Sequence, residues 1–101
     1  MGNVTCFICG HRTLDKRCDW DICPVCFWED DVFVTNGEDI ASVANHGMMV
    51  SQAQANFIMF GASSKDAIPH VRPPKYDEEY DSSWTPLKAA LQLVERTKND
   101  G

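Results

Sequence analysis

The sequence has no long apolar run and few basic residues. No stretch approaches the roughly 20 apolar residues that a membrane-spanning helix needs, and the first residues, MGNVTC, lack the apolar segment of a secretion signal. Lys and Arg number 9 against 15 Asp and Glu, so the formal net charge is -6. A nucleic-acid-binding surface needs a basic stripe that displaces counterions from phosphates. We therefore expect no membrane and no nucleic-acid partner, and an acidic surface that suits a basic protein partner.

The cysteines do not follow the pattern of a secreted disulfide framework. There are five, an odd number, and four of them form two Cys-x-x-Cys pairs, Cys6/Cys9 and Cys23/Cys26, with 13 residues between the pairs. Such pairs are typical of metal ligands in a reducing cytosol. The sequence predicts a cytoplasmic protein in which the fifth cysteine, Cys18, is a spare thiol.

The two pairs predict a closed metal site. Two facing turns supply four soft ligands in a tetrahedron, the arrangement that structural zinc prefers. The predicted ligands of Zn²⁺, or alternatively of iron, are Cys6, Cys9, Cys23 and Cys26. Two redox-active dithiols are another interpretation, but they call for a thioredoxin-like βαβ pattern that this chain lacks. His11 could replace a sulfur, yet the four cysteines leave it no vacancy.

Residues next to the cysteines predict the shape and the surroundings of the turns. Gly10 follows Cys9, where such a turn often needs a positive φ, and Pro24 fixes φ in the second turn. Four aromatic residues are predicted to surround the site and exclude water. They are Phe7, Trp20, Phe27 and Trp28.

The rest of the chain predicts one further strand and two helices. Residues 32–35 are β-prone and are followed by the turn dipeptide Asn36-Gly37. Residues 38–47 are predicted to be irregular. Ser51 and Gln54 fit a capping box that opens a helix, with Gly61 as its C-cap.

Residues 62–84 are predicted to be a long loop, and the last helix to begin at Thr85 as N-cap and Pro86 as N1. Its apolar stripe comprises Leu87, Ala90, Leu91 and Val94. The predicted fold is a single α+β domain over residues 1–101. It has a metal-knuckle part with a small antiparallel sheet at 1–37 and a helical part at 48–99.

Several fragments carry a resemblance to a known family. They are Cys6-x-x-Cys9-Gly10 with Thr13-Leu14, the block ICPVCFWEDD at 22–31, Ala55-Asn56-Phe57, Phe60-Gly61-Ala62 and Val71-Arg72-Pro73-Pro74. Over residues 6–74 the chain resembles the cysteine-rich CPCC family of small bacterial proteins. It departs from that pattern in the first turn, where Cys6-Phe7-Ile8-Cys9 stands in place of Cys-Pro-Cys-Cys. The resemblance implies a zinc-ribbon-like or rubredoxin-like pair of metal turns, and association with toxin and immunity systems.

The acidic run Glu29-Asp30-Asp31 permits two interpretations. With His46 or His70 it could form a hydrolytic or second metal site. Alternatively, its carboxylates are structural, and Arg72 docks on one of them and locks the loop across the metal end.

The leading functional hypothesis is a zinc-stabilised interaction module without enzymatic activity, such as an immunity or antitoxin-like protein that binds a basic partner. A closed shell of four cysteines has no open position for a substrate water. The alternative is a rubredoxin-like iron electron-transfer protein, although Phe27 stands where rubredoxins have glycine. The sequence leaves the oligomeric state open.

Overall fold

The computed structural model describes residues 4–17 and 19–100, which form an α+β fold with two small antiparallel sheets. The first sheet pairs β1 (Val4–Thr5) with β2 (Arg12–Leu14) and contains a bulge between Val4 and Thr5. The strands flank the first Cys-x-x-Cys turn. The small antiparallel sheet predicted for the metal-knuckle part is therefore confirmed.

The second sheet begins in the segment predicted to be irregular, residues 38–47, and ends just beyond it. Strands β3 (Ala41–Ser42) and β4 (Met48–Met49) pair antiparallel, and a 3₁₀ helix at Val43–Asn45 connects them. His46 ends this 3₁₀ helix in the left-handed region, with φ of 61°. The prediction for 38–47 was wrong because two-residue strands leave almost no alternation in the sequence.

Residues 32–35 form no strand. The carboxylate of Asp31 accepts a hydrogen bond from the Phe33 amide, and the Asp31 carbonyl accepts one from the Val34 amide. These bonds fold the chain into a turn, because a short Asp side chain competes with a sheet for backbone donors. The β propensity of the following residues is overridden by this one aspartate.

Helix α1 spans Val50–Phe60. Gly61 ends it with φ of 81° and a hydrogen bond from its amide to the Phe57 carbonyl, as predicted. The predicted capping box is wrong, because Met49 is the N-cap and the Ser51 amide donates instead to the Asp39 carboxylate. Gln54 therefore has no capping role at the start of this helix.

Gln54 instead connects three parts of the molecule. Its side chain is buried; the amide nitrogen donates to the Phe7 carbonyl and the amide oxygen accepts from the Leu87 amide. One side chain of α1 thus fixes both the first cysteine turn and the residues that lead into the last helix. Local sequence spacing does not reveal these partners, which lie 47 and 33 residues away.

The last helix, α2, spans Lys88–Asp100 and packs against α1. It begins later than predicted, because the Leu87 amide is used by Gln54 and the Leu87 carbonyl accepts the first helical bonds. The predicted stripe is buried at Ala90 and Val94, whereas Leu91 is half exposed. The segment predicted as a loop contains a 3₁₀ helix at Lys65–His70, which Ser64 caps by accepting from the Ala67 amide.

The core surrounds the cysteines. Leu14, Trp28, Val34 and Val50 are buried in the same cluster as the four paired cysteines. Within the described part of the chain, every helix is too short or too polar to cross a membrane.

Candidate metal centre

The two Cys-x-x-Cys turns have the same backbone hydrogen bonds. In the first, the Cys6 carbonyl accepts from the Gly10 amide at 3.0 Å and the Cys6 amide donates to the His11 carbonyl at 2.9 Å. In the second, the Cys23 carbonyl accepts from the Phe27 amide at 2.7 Å and the Cys23 amide donates to the Trp28 carbonyl at 2.9 Å. The two cysteine turns therefore share the same pattern of backbone hydrogen bonds. Each turn holds its first cysteine by two hydrogen bonds.

This turn requires a positive φ at the residue after its second cysteine. Gly10 has φ of 78° there, which confirms the prediction for the first turn, and Phe27 has φ of 70° in the second. Glycine adopts this region without cost, whereas a residue with a side chain loses about 1 to 2 kcal/mol. The second turn therefore carries local strain that a glycine would remove.

The four predicted ligands come together. Their sulfur atoms all lie within 4.8 Å of one another and are buried. The Cys6 and Cys26 sulfurs are 3.6 Å apart, and those of Cys9 and Cys23 are 3.8 Å apart. A tetrahedron with metal–sulfur bonds of about 2.3 Å has sulfur–sulfur edges of about 3.8 Å. The four cysteines are thus positioned to bind a metal ion.

Neighbouring groups make the four sulfurs inequivalent. Hydrogen bonds with the thiols of Cys26, Cys6 and Cys9 hold the pKa of Cys23 far below its usual value, and the Thr13 hydroxyl, 3.0 Å from the Cys23 sulfur, adds to this effect. Burial is the main cause that raises the pKa of Cys26. These opposite directions show that the buried sulfurs do not ionise alike. Metal binding would release protons from the cysteines that are still thiols.

Residues from distant parts of the sequence enclose the site. The guanidinium of Arg17 lies 3.4 Å from the centre of the Phe7 ring and forms an ion pair with the buried carboxylate of Asp30. This arrangement covers the first turn and attaches it to the segment after the second. Neither Thr13 nor Arg17 has a sequence signature, because each acts on a residue at least ten positions away.

The predicted aromatic surroundings are only partly correct. Trp28 is buried and Phe7 packs against the core. Trp20 and Phe27 are instead exposed to 45% and 36%. Both have positive φ values, a backbone conformation that is rare for aromatic residues and that the sequence does not indicate.

His11 does not join the sulfur cluster. Its Nδ1 lies 2.9 Å from the Glu78 carbonyl oxygen, and its ring contacts Tyr80 edge-on. Cys18, predicted to be a spare thiol, lies outside the described residues. The metal-ligand role of the four paired cysteines stays a prediction that this geometry supports.

The acidic run divides into separate roles. Asp30 pairs with Arg17, and Asp31 accepts hydrogen bonds from the Ser42 hydroxyl and the Phe33 amide. These two carboxylates stabilise the fold. Among the described residues, only the four cysteines bring three or more possible ligand atoms within 4.8 Å. The geometry therefore gives the predicted second metal site no support.

Arg72 docks on a different acid from the one predicted. Its guanidinium donates to both carboxylate oxygens of Glu78, at 2.7 and 3.0 Å, rather than to the run at 29–31. The Arg72 amide still donates to the Pro24 carbonyl within the second cysteine turn. The loop is therefore fixed to the metal end as predicted, but through the backbone.

A groove beside the second turn brings Glu29 together with His46 and His70, the histidines that the sequence suggested as its neighbours. It has a volume of about 650 Å³ and is lined by Phe27, Glu29, His46, Met48, Asp66 and His70, among others. The rings of Phe27 and His70 stack with their centres 4.8 Å apart. The 3₁₀ helix that carries Asp66 and His70 lies in the segment predicted as a loop, so the sequence did not indicate that Asp66 and Met48 also line this groove.

Fold and site together define a small α+β domain whose buried tetracysteine cluster is compatible with metal binding. The cysteine-rich CPCC family matches residues 4–78, and the chain belongs to that family. The resemblance predicted for residues 6–74 is thus confirmed. No curated protein and no solved structure matches the chain.

Proposed function

We propose that the four cysteines bind one structural Zn²⁺ in a zinc-ribbon-like site. The main support is that four buried sulfurs lie within 4.8 Å of one another, and that two of their separations, 3.6 and 3.8 Å, match the edge of a zinc–thiolate tetrahedron. Four protein ligands complete the coordination of such an ion. The ion would then stabilise the fold and would have no open position at which to activate a substrate.

The function we propose for the domain is to bind a basic protein, as an immunity or antitoxin-like protein would. The net charge of -6 supports this, because an acidic surface attracts a basic partner and repels nucleic acid. Two thiolate pairs with Zn²⁺ in place of neutral thiols make the charge still more negative. The expected association is fast and weakened by salt.

The alternative is a rubredoxin-like site with iron. The same four-sulfur cluster, buried beside Trp28, suits an iron ion that carries one electron. Colour separates the two proposals, because ferric tetrathiolate protein is red and bleaches on reduction whereas zinc protein is colourless.

Metal analysis of the full chain purified without added metal tests the site. We expect one zinc per chain, strong loss of zinc in Cys23→Ser and full retention in Cys18→Ser. A metal content near zero in the wild-type chain would contradict the proposal, as would equal loss in both variants. Red protein with stoichiometric iron would favour the alternative.

The binding role is tested by capture of partners from the native host at low and high salt, with zinc-loaded protein as bait. We expect a basic protein that is retained at low salt and released at high salt. Absence of a basic partner at either salt concentration would contradict this role and leave the metal site intact.

A further inference from the structure

We propose that the groove beside the second cysteine turn binds an arginine side chain of a basic polypeptide. This inference rests on the proposed binding role and names the place and the chemistry of the contact. Three features carry it: a preformed groove, an aromatic ring held there in a strained backbone conformation, and two carboxylates that have no ion-pair or hydrogen-bond partner among the described residues.

The walls of the groove are held together by hydrogen bonds. The Asn45 side chain accepts from the Glu29 amide and donates to the Glu29 carbonyl, which joins the second cysteine turn to the β3–β4 connection. The Ser63 amide donates to the Cys26 carbonyl at 2.8 Å, which joins the same turn to the segment before the 3₁₀ helix. A ligand therefore meets a groove that is already formed, and a volume of about 650 Å³ lies within the range of ligand sites.

Phe27 occupies a backbone position that favours glycine. The equivalent residue of the first turn is Gly10, which is buried beneath Trp84, whereas the Phe27 ring is exposed to 36% and lines the groove. Its φ of 70° lies in the left-handed region, which is strained for a residue with a side chain. Strained residues of this kind are found at ligand clamps. A second such residue, His46, lines the same groove.

The charges of the groove favour a cation. Glu29 and Asp66 line it, and no Lys or Arg does. Within residues 4–17 and 19–100, neither of these carboxylates forms an ion pair or a hydrogen bond. The methionines Met48 and Met49 add apolar surface for the stem of a long side chain.

Elsewhere in the protein, an arginine already makes the kind of contact that we propose for the groove. Across the first turn, Arg17 lies over the Phe7 ring and pairs with the Asp30 carboxylate. In the groove, His70 stacks on one face of the Phe27 ring, so the proposed guanidinium would take the other face and pair with Glu29 or Asp66. A planar guanidinium both stacks on an aromatic face and binds a carboxylate with two hydrogen bonds, which an ammonium group cannot do.

The test uses the zinc-loaded full chain, ¹⁵N-labelled, titrated with acetyl-Gly-Arg-Gly-amide and separately with the same peptide containing citrulline, the neutral isostere of arginine. We expect the arginine peptide to shift the amide signals of Phe27, Glu29 and Asp66 and to bind about tenfold more tightly than the citrulline peptide. The two peptides differ in charge at one group, so the ratio reports on the guanidinium.

Two variants separate the groove from the fold. Phe27→Gly relieves the strained φ, so we expect it to remain folded and to lose most of the preference for arginine over citrulline. Glu29→Gln with Asp66→Asn is expected to abolish that preference. Glu38→Gln with Glu95→Gln removes the same number of charges from exposed positions outside the groove and is expected to retain it.

Four results would overturn the assignment. The first two are equal binding of the arginine and citrulline peptides, and signal shifts outside the groove. The third is an equal loss of the preference for arginine in the control variant. The fourth is groove signals that change with protein concentration alone, because the occupant would then be a second copy of the chain. A basic partner that binds Phe27→Gly as tightly as wild type would refute the groove and leave the binding role standing. If the arginine peptide binds as expected but no basic partner is captured, the binding role would be refuted and the groove site would stand.

Discussion

At the scale of single residues, Thr13 lies against the proposed metal site. Its hydroxyl lies 3.0 Å from the Cys23 sulfur, and both groups are buried. Hydrogen bonds from neighbouring groups stabilise a thiolate and orient it, and loss of such a partner typically lowers metal affinity about 10- to 100-fold. Thr13 therefore contributes to the proposed site without being a ligand.

We expect Thr13→Val to lower zinc affinity by about tenfold or more, because valine keeps the shape of threonine and removes the hydroxyl. Competition with a chromophoric chelator measures the effect. Thr5→Val is the matched control, since the Thr5 hydroxyl donates to Asp81 and not to a sulfur. Unchanged affinity in Thr13→Val, or equal loss in both variants, would remove Thr13 from the site.

The sequence predicts the four cysteines but not the residues that act on them. The Cys-x-x-Cys spacing is visible in the sequence itself, so the pairs Cys6/Cys9 and Cys23/Cys26 can be identified without the structure. Thr13, Arg17 and Gln54 act across long stretches of chain, and only the folded structure brings them to their partners. The sequence likewise suggested Glu29 with His46 or His70 but not the other walls of the groove, which come from distant parts of the chain.

At the scale of elements, the first cysteine turn depends on a glycine for two reasons. Gly10 has a positive φ, and a Cβ there would overlap the Trp84 indole and the Tyr80 ring. Gly37 also has a positive φ, of 89°, but nothing lies within 4 Å of its Cβ position. Comparing substitutions at the two glycines therefore separates the energetic cost of backbone strain from that of close packing.

We expect Gly37→Ala to lower the free energy of unfolding by about 1 to 2 kcal/mol from strain alone. Gly10→Ala is expected to lower it by about 1 to 3 kcal/mol more, because the rings above it must move. Chemical denaturation of the zinc-loaded variants measures both. Similar losses at the two positions would show that the contact with Trp84 is not tight.

The loop that crosses the second turn depends on the ion pair between Arg72 and Glu78. Glu78 is buried, so Arg72→Ala would leave its carboxylate without its guanidinium partner, and we expect the free energy of unfolding to fall by about 1 to 3 kcal/mol. Arg96→Ala, on the exposed face of α2, is the control and should change little. Equal stability of Arg72→Ala and wild type would contradict the role of this pair.

The effect of Arg72→Ala should depend on pH. Hydrogen bonds from Arg72 are the main cause that holds the pKa of Glu78 below its usual value. The stabilisation is therefore complete above the ordinary glutamate pKa of about 4.3 and is lost as pH falls through the lower folded-state value. Chemical denaturation at a series of pH values, with metal content checked at each, measures the effect. The difference in free energy of unfolding between wild type and Arg72→Ala should become smaller only at acidic pH.

Helix and strand ends were predicted correctly where a single residue determines them. They were predicted wrongly where another side chain binds the backbone amides involved. Gly61 ends α1 as predicted because a left-handed C-cap is a property of that residue. The predicted strand at 32–35 and the capping box at Ser51 were wrong because Asp31 and Asp39 bind the backbone amides concerned. An aspartate that accepts from the backbone leaves no periodic pattern.

At the scale of the whole molecule, the cysteine cluster occupies the position of a hydrophobic core. The four cysteines share one buried cluster with Ile8, Leu14, Trp28 and Val50, and α1 packs against it through Ala53. Four sulfurs without a cation would be a poor centre for so small a core, because burial disfavours the charge that accumulates on them. The metal and the fold should therefore be lost together.

We expect removal of zinc by a chelator at neutral pH to unfold the domain. Structural zinc contributes an apparent ~10 to 16 kcal/mol in small metallo-peptides, whereas domains of ordinary size are stable by only about 5 to 15 kcal/mol in total. Loss of amide dispersion in NMR spectra and of far-UV circular dichroism measures the effect, and added zinc should restore both. Chelator saturated with zinc beforehand is the control. A metal-free protein that keeps its dispersion and its melting temperature would contradict the proposal that the ion holds this fold together.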